Sequence, residues 1–290
     1  MAVTNGWGQA AVNNTIDYGK GKTTATNNWG KVYDSSASGD TSLGTAPAGF
    51  ADTTSWALDG VDEFLNNSNT FDTFAADDGN SGIKWTINFW VKFDSLPAST
   101  SEIIYRMAET DGTYVTYLSV SSAGLLTAGI NGSGSNWTRS GNGSVTTGVW
   151  YMISVRYNST SGSRYQRLKI RINGATPTGH QSNFLKANSG ASAIINLGSN
   201  NNGESNINGN INEFSIFYGH AFTNDELATL YNSGAATDLN ENTPTPTNWF
   251  RSENATWDGS NYTMTDEMGT GIAIVSNNME QEDRDSDVPT

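Results

Sequence analysis

The fold of this chain is decided by an alternating stretch, Thr86-Ile87-Asn88-Phe89-Trp90-Val91-Lys92-Phe93. Its apolar side chains recur at every second position, so Ile87, Phe89 and Val91 share one face of a predicted strand. The stretches around Ile153 and Ile170 alternate in the same way. Short alternating strands separated by turns rich in Gly, Ser and Asn are typical of an all-β sandwich.

Further strands follow from the same pattern over residues 102–107, 114–120, 125–131, 194–198 and 210–218. Asn173-Gly174 follows a predicted strand and supplies the left-handed pair that a tight hairpin turn requires. One short helix is also predicted, because Thr223 and Glu226 have the spacing of a capping box and precede an amphipathic stretch. Gly234 is expected to end this helix.

Composition narrows the classes of function. The chain has 290 residues, no Cys, 2 His and a net charge of −14. The absence of Cys excludes disulfides, thiolate zinc sites and a Cys nucleophile, and two His argue against a His-rich metal site or a His-dependent triad. The acidic charge disfavours nucleic acid as a partner. No apolar run reaches the roughly 20 residues that span a bilayer, and no secretion leader is visible, so we expect no membrane partner and synthesis in a cytoplasm.

The chain divides into three predicted segments. Residues 1–45 form an N-terminal arm rich in aromatic-Gly pairs, and residues 46–240 carry most of the strands. Residues 241–290 follow as a linker and a strand-bearing segment. This segment ends in an acidic tail that we expect to be solvated.

The arm repeats its aromatic-Gly pair at Trp7, Tyr18 and Trp29. Exposed aromatic side chains cost solubility unless something covers them. They are therefore candidate assembly contacts with a partner subunit, together with Trp249 and Trp257 of the C-terminal segment. The alternative is a loop-rich arm that these side chains pin to its own fold.

Residues 55–234 resemble the laminin-G-like, concanavalin A-like jelly-roll superfamily in five stretches that occur in the right order. These stretches are 57–64, 85–92, 148–155, 168–174 and 209–232. The resemblance implies a jelly-roll sandwich of two antiparallel sheets with one short helix. The stretch around Trp249 resembles the strand that usually precedes the first of the five, so we expect it to complete an edge of the same sandwich or to reach a neighbouring subunit.

The wider frame, with residues 5–15 and 33–41 ahead of such a jelly roll, resembles structural proteins of tailed bacteriophages. This resemblance implies a virion location, other virion proteins as partners and a homo-oligomer. Our leading prediction is a non-enzymatic virion structural protein, a capsid decoration protein anchored by its terminal arms. The alternative is a tail or fibre adhesin that binds host glycans through jelly-roll loops. A glycan-degrading enzyme and a bacterial surface protein are weaker alternatives.

Catalysis is not expected. Glycoside hydrolases need two carboxylates across a cleft, and the enzymes of this superfamily carry them at alternating positions of one strand. The predicted strand 210–218 offers Glu213 alone, which we expect to be a structural hydrogen-bonding residue.

Sugar binding needs an exposed aromatic side chain beside polar groups, and Trp137 with Asn136 in a polar Gly-Ser loop fits that description. The alternative is that Trp137 folds down as a loop anchor. Trp90 and Trp150 face away from the main apolar sides of their strands, so we expect them to pack on another layer or subunit.

Calcium is the one candidate cofactor, because this superfamily often holds it with loop oxygens. No EF-hand spacing occurs, and Asp59-Gly60 is more simply a turn. The candidate ligands are Asp59, Asp62, Asp77 and Asp78.

Overall fold

The computed structural model describes residues 24–26, 32–34, 50–67, 82–108, 114–130, 136–183, 194–200 and 202–290. Backbone contacts divide the chain into two units, Met1–Ala51 and Asp52–Thr290. In the first unit, strands β1 (Thr24–Thr26) and β2 (Val32–Asp34) pair antiparallel. Within the described ranges, no helix is both long and apolar enough to cross a membrane.

The second unit contains the remaining described strands and one α-helix. In chain order they are β3 (Ser55–Asp59), β4 (Phe64–Asn66), β5 (Lys84–Ser95), β6 (Glu102–Ala108), β7 (Tyr114–Val120), β8 (Leu126–Ile130), β9 (Trp137–Arg139), β10 (Trp150–Asn158), β11 (Leu168–Ile172), β12 (Gln181–Asn183), β13 (Ile194–Leu197), β14 (Asn208–Tyr218), α1 (Asn224–Tyr231), β15 (Asn248–Phe250), β16 (Thr256–Trp257), β17 (Tyr262–Thr265), β18 (Ala273–Asn277) and β19 (Arg284–Asp285).

These strands form two antiparallel sheets, which confirms the predicted sandwich. The seven-stranded sheet has the order β11-β10-β5-β14-β3-β19, and β15 also pairs with β14. The ten-stranded sheet has the order β12-β9-β8-β7-β6-β13-β4-β18-β17-β16. One apolar core lies between the two sheets.

The predicted face of β5 is confirmed, since Ile87, Phe89 and Val91 all lie in this core. The side chains on the other face of β5 are also covered. Asn88 is 3% exposed and Trp90 is 2% exposed. The seven-stranded sheet is therefore the middle layer of the unit, with the core on one side and further protein on the other.

Helix α1 provides part of that outer cover. Its capping box is confirmed, because Thr223 Oγ1 accepts from the Glu226 amide at 3.3 Å and Glu226 Oε2 accepts from the Thr223 amide at 2.6 Å. The ring of Tyr231 stacks on Trp90 with centroids 5.7 Å apart. The helix ends at Asn232 with φ 45° rather than at Gly234, because Asn also tolerates the left-handed conformation.

The tight turn after β11 is confirmed by positive φ angles of 52° at Asn173 and 75° at Gly174. The turn is closed by the Ala175 amide, which donates to the Ile172 carbonyl at 2.9 Å. A Cβ at Gly174 would lie 2.8 Å from the backbone of Ala228 in α1. Glycine therefore allows both the turn and the close approach of the helix.

The C-terminal segment belongs to the same sandwich. Strand β15 pairs with β14, β18 pairs with β4, and β19 pairs with β3. Of the two possibilities that the sequence left open, packing back on the sandwich is confirmed.

The expectation that the acidic tail is solvated is wrong. Asp287 Oδ1 accepts a hydrogen bond from Trp150 Nε1 at 2.7 Å, and Asp287 Oδ2 pairs with Lys92. The hydroxyl of Ser55 donates to the Asp287 carbonyl at 2.6 Å. The tail is held because the outer side of the seven-stranded sheet offers a cation and an indole donor to its carboxylate.

Removing residues 248–290 should abolish cooperative unfolding. Strands β14, β4 and β3 would each lose a hydrogen-bonded neighbour, and the core would lose apolar side chains such as Phe250 and Ile274. Thermal unfolding followed by near-ultraviolet circular dichroism measures this. A shortened chain that melts cooperatively at the temperature of the intact chain would contradict the claim that this segment is part of the fold.

Candidate functional site

The outer face of the seven-stranded sheet is closed by the chain itself. Trp90 lies under Tyr231 of α1, and Trp150 is bound by Asp287 of the tail. The expectation that these two tryptophans pack on another layer is confirmed. This face offers no open platform of aromatic side chains in the described part of the chain.

The ten-stranded sheet differs, because its outer face carries one continuous row of paired residues. Residues directly opposite each other on neighbouring strands share a face. We call this set the outer row, and across the ten strands it consists of Asn183, Trp137, Gly129, Tyr117, Arg106, Asn196, Asn66, Val275, Thr263 and Thr256. Their chain neighbours Leu118, Ala128 and Ile195 point the other way, into the core.

An aromatic centre lies in the outer row. A Cβ at Gly129 would lie 2.3 Å from Cε1 of Tyr117, so the Tyr117 ring covers the glycine. Trp137 is the partner of Gly129 on the other side. Both aromatic side chains are half-buried. The missing side chain at Gly129 therefore lets a flat ring lie against the sheet next to the strand of Trp137.

Arg139 completes this centre. It lies two residues beyond Trp137 on β9, and its guanidinium carbon is 4.3 Å from the centroid of the Trp137 ring. The Arg139 side chain is exposed. Within the part of the chain that the structure describes, no carboxylate forms an ion pair with it.

Of the two predicted glycan-binding residues, Trp137 is half-buried and Asn136 is buried. Trp137 lies on strand β9, on the outer face, rather than at the tip of a loop. Asn136 is 3% exposed, and its carbonyl accepts from the Ile130 amide at 3.0 Å. The prediction that Asn136 contacts a glycan is wrong, because the residue serves the connection between β8 and β9.

The structure describes two of the five predicted assembly residues. Trp249 is 1% exposed, and its Nε1 donates to Glu213 Oε2 at 2.5 Å. Trp257 is half-buried and packs on Tyr262 with ring centroids 4.7 Å apart. These two residues hold the fold together instead of forming an arm. Trp7, Tyr18 and Trp29 lie outside the described residues.

The predicted calcium ligands do not form a shared site among the described residues. Asp59 Oδ1 accepts from the Val61 amide at 2.7 Å, which is the simple turn that the sequence also allowed. Asp62 is exposed at the surface. Asp77 and Asp78 lie outside the described residues.

A cluster of three carboxylate side chains lies where β14 bulges. Oxygen atoms of Asp52, Glu213 and Glu253 lie within 4.8 Å of one another, so these residues could hold a cation or share a proton. Glu213 has a φ of 53° and is 4% exposed. Its two oxygens accept from Trp249 Nε1 at 2.5 Å and from Arg251 Nε at 2.9 Å, as expected for a structural residue.

The same cluster fixes the point where the chain enters the sandwich. Glu253 Oε1 accepts from the amides of Thr53 and Thr54 at 2.7 and 3.0 Å. Asp52 accepts from Asn212 Nδ2 at 2.6 Å. Burial raises the pKa of the Asp52 carboxyl to about 7, and the neighbouring Glu253 adds to the shift while Asn212 opposes it. This cluster therefore acts as an anchor between distant parts of the chain.

Replacing Gly129 with alanine should displace the Tyr117 ring, since the added Cβ would overlap it. We expect the free energy of unfolding to fall by about 1–3 kcal/mol, as overpacking does in a tight contact. Urea denaturation measures the loss. Gly162→Ala is the control because a Cβ there meets no atom within 4 Å. Equal stability of both variants would contradict the described position of Tyr117.

The raised pKa of Asp52 predicts a pH-dependent stability. Between the ordinary pKa of 3.8 and about 7, the folded protein keeps a proton that the unfolded chain has lost. The free energy of unfolding should therefore fall as the pH rises through this window. Asp52→Asn should weaken the dependence, while Asp62→Asn at an exposed position should not. Urea denaturation at pH 5 and pH 8 tests this, and an unchanged dependence in Asp52→Asn would refute it.

Comparisons with known proteins agree with this architecture. Residues 65–228 match a family model described as the concanavalin A-like lectin/glucanases superfamily. None of the curated proteins matches the sequence.

Several solved structures match part of the chain at low identity. A native heptameric SAP-like pentraxin from Limulus polyphemus is 16% identical, with 78% of this chain and 94% of that chain covered and a TM-score of 0.47. The Trypanosoma rangeli sialidase in complex with sialic acid is 13% identical over 52% of this chain and 23% of its own, with a TM-score of 0.39.

A third similar structure is the CBM40 of a Ruminococcus gnavus IT-sialidase bound to α2,3 sialyllactose. It is 12% identical over 57% of this chain and 99% of its own, with a TM-score of 0.40. The family model covers more than half of the chain, so this protein belongs to the concanavalin A-like lectin/glucanases superfamily.

Proposed function

We propose that this chain is a non-enzymatic glycan-binding protein whose binding surface is the outer row around Trp137 and Tyr117. The observation that carries the proposal is the pair of half-exposed aromatic side chains on the outer face of the ten-stranded sheet. A sugar ring has an apolar C–H face, which packs on aromatic rings, and a rim of hydroxyl groups, which needs hydrogen-bonding side chains.

The outer row supplies both kinds of contact. Beside the aromatic centre it contains Arg106 and, farther along the row, Asn66, and both of these side chains are half-buried. At the other end it contains Asn183. Guanidinium groups donate to hydroxyls, and amide groups both donate to and accept from them. The row crosses the sheet from strand to strand, which suits an extended oligosaccharide.

Catalysis is not part of this proposal. Hydrolases that use two carboxylates need them on either side of the scissile bond. The outer row contains no acidic residue. In the cluster of Asp52, Glu213 and Glu253, the central Glu213 is buried. Both of its oxygens accept hydrogen bonds, from Trp249 and Arg251.

The virion role stays a prediction. The proposed glycan-binding face bears on the choice between its two versions, a capsid decoration protein and a tail or fibre adhesin. Trp249 and Trp257 belong to the sandwich, which weakens the idea of anchoring through a C-terminal arm. A decoration protein needs no exposed aromatic row, whereas an adhesin does. We therefore place the tail or fibre adhesin before the capsid decoration protein.

Trp137→Ala should reduce glycan affinity at least about tenfold, because it removes the half-exposed ring on which the sugar packs. The measurement is binding of the full chain to a glycan array, followed by isothermal titration calorimetry with the best oligosaccharide. Tyr218→Ala is the control, since Tyr218 is 45% exposed but lies on the other sheet. Equal loss in both variants, unchanged binding in Trp137→Ala, or no binding to any glycan would each overturn the proposal.

A further inference from the structure

Arg139 is a cation in an acidic protein that forms no ion pair with a carboxylate among the described residues. The chain carries 29 acidic and only 15 basic residues. Lys92 pairs with Asp287, and Arg251 pairs with Glu213. Arg139 is exposed on the outer face, and among the described residues it contacts the Trp137 ring.

The Trp137 ring holds the Arg139 guanidinium in place. A planar guanidinium 4.3 Å from the ring centroid is in the range of a cation–π contact. The Arg139 side chain is exposed, so the N–H edge of its guanidinium is accessible to a ligand. That edge is a rigid fork of donors that matches the two oxygens of a carboxylate.

The described strands around Arg139, which are β7, β8, β9 and β12, carry no acidic side chain, although the chain has a net charge of −14. A second cation, Arg106, lies on the outer row three strands from Trp137, which is about 14 Å at the usual spacing of strands. Charges farther away are largely screened at physiological salt.

We infer that the outer row selects glycans that carry carboxylates, such as uronic or sialic acids, and that Arg139 binds the carboxylate while the aromatic centre packs on the sugar. This inference rests on the proposed function and specifies its ligand class. The rest of the protein is acidic and disfavours non-specific binding of anions. The preference for carboxylates therefore depends on the Arg139 guanidinium.

The test uses matched glycan pairs that differ in the carboxylate alone. One pair is a galacturonic acid oligomer and its methyl ester, and the other is sialyllactose and lactose. Titration calorimetry with the full chain should show at least about tenfold tighter binding of the charged member in one pair or both. Equal or tighter binding of the neutral member in both pairs overturns the inference.

Variants identify the residue responsible. Arg139→Gln should remove most of the preference for the charged member, measured as the ratio of the two affinities. Arg139→Lys keeps the charge but loses the fork and should restore only part of the preference. Lys84→Gln, an equal change of charge on the seven-stranded sheet, should have no effect. A preference that survives Arg139→Gln overturns the role of Arg139.

The two proposals fail in different ways. Neutral and charged glycans that bind equally, with loss in Trp137→Ala, reject the carboxylate preference but retain glycan binding by the outer row. Absence of binding to every member of both pairs and to the glycan array rejects both. Circular dichroism of each variant separates loss of binding from loss of fold.

Discussion

A sheet that carries apolar side chains on both faces must be covered on both, and strand β5 imposes this requirement on the whole molecule. Ile87 and Phe89 point into the core between the sheets, while Trp90 points the other way. The chain covers Trp90 with helix α1 and covers Trp150 with the C-terminal tail. Burial of these aromatic side chains stabilises the fold and explains why the last 40 or so residues are part of the sandwich.

The ten-stranded sheet has the opposite character. Its inner face completes the core, and its outer face keeps half-exposed polar and aromatic side chains, as antiparallel sheets with one solvated face do. Gly129, Tyr117 and Trp137 meet there only because three strands pair in one register. The absence of acidic residues from these strands and the exposed guanidinium of Arg139 give this face a chemistry different from the rest of an acidic protein.

The fold was largely predictable because its signals are local. Alternation over residues 86–93 and the capping box at Thr223 are each visible within about ten residues, and the structure confirms both. The acidic tail was predicted to be solvated, since sequence alone does not reveal that Lys92 and Trp150 lie where Asp287 can reach them. An acidic segment binds or stays in solvent according to what the folded surface offers.

The site was predictable only in part. Trp137 was identified as an exposed aromatic residue among polar neighbours, but its partners Tyr117, Gly129 and Arg106 come from other strands and are related by register alone. Sequence gives the alternation of a strand but not which residue lies opposite on the next one. The cluster of Asp52, Glu213 and Glu253 was missed for the same reason, because its members are far apart in the chain.

The most direct test of this account is the response of the tryptophan indole N–H signals to a bound oligosaccharide, followed by nuclear magnetic resonance of the full chain. The Trp137 signal, assigned by its disappearance in Trp137→Phe, should shift on titration. The signals of Trp90 and Trp150 should stay in place, because helix α1 and the tail cover those side chains. A shift of the Trp90 or Trp150 signal with an unchanged Trp137 signal would contradict the claim that the ten-stranded sheet carries the binding face.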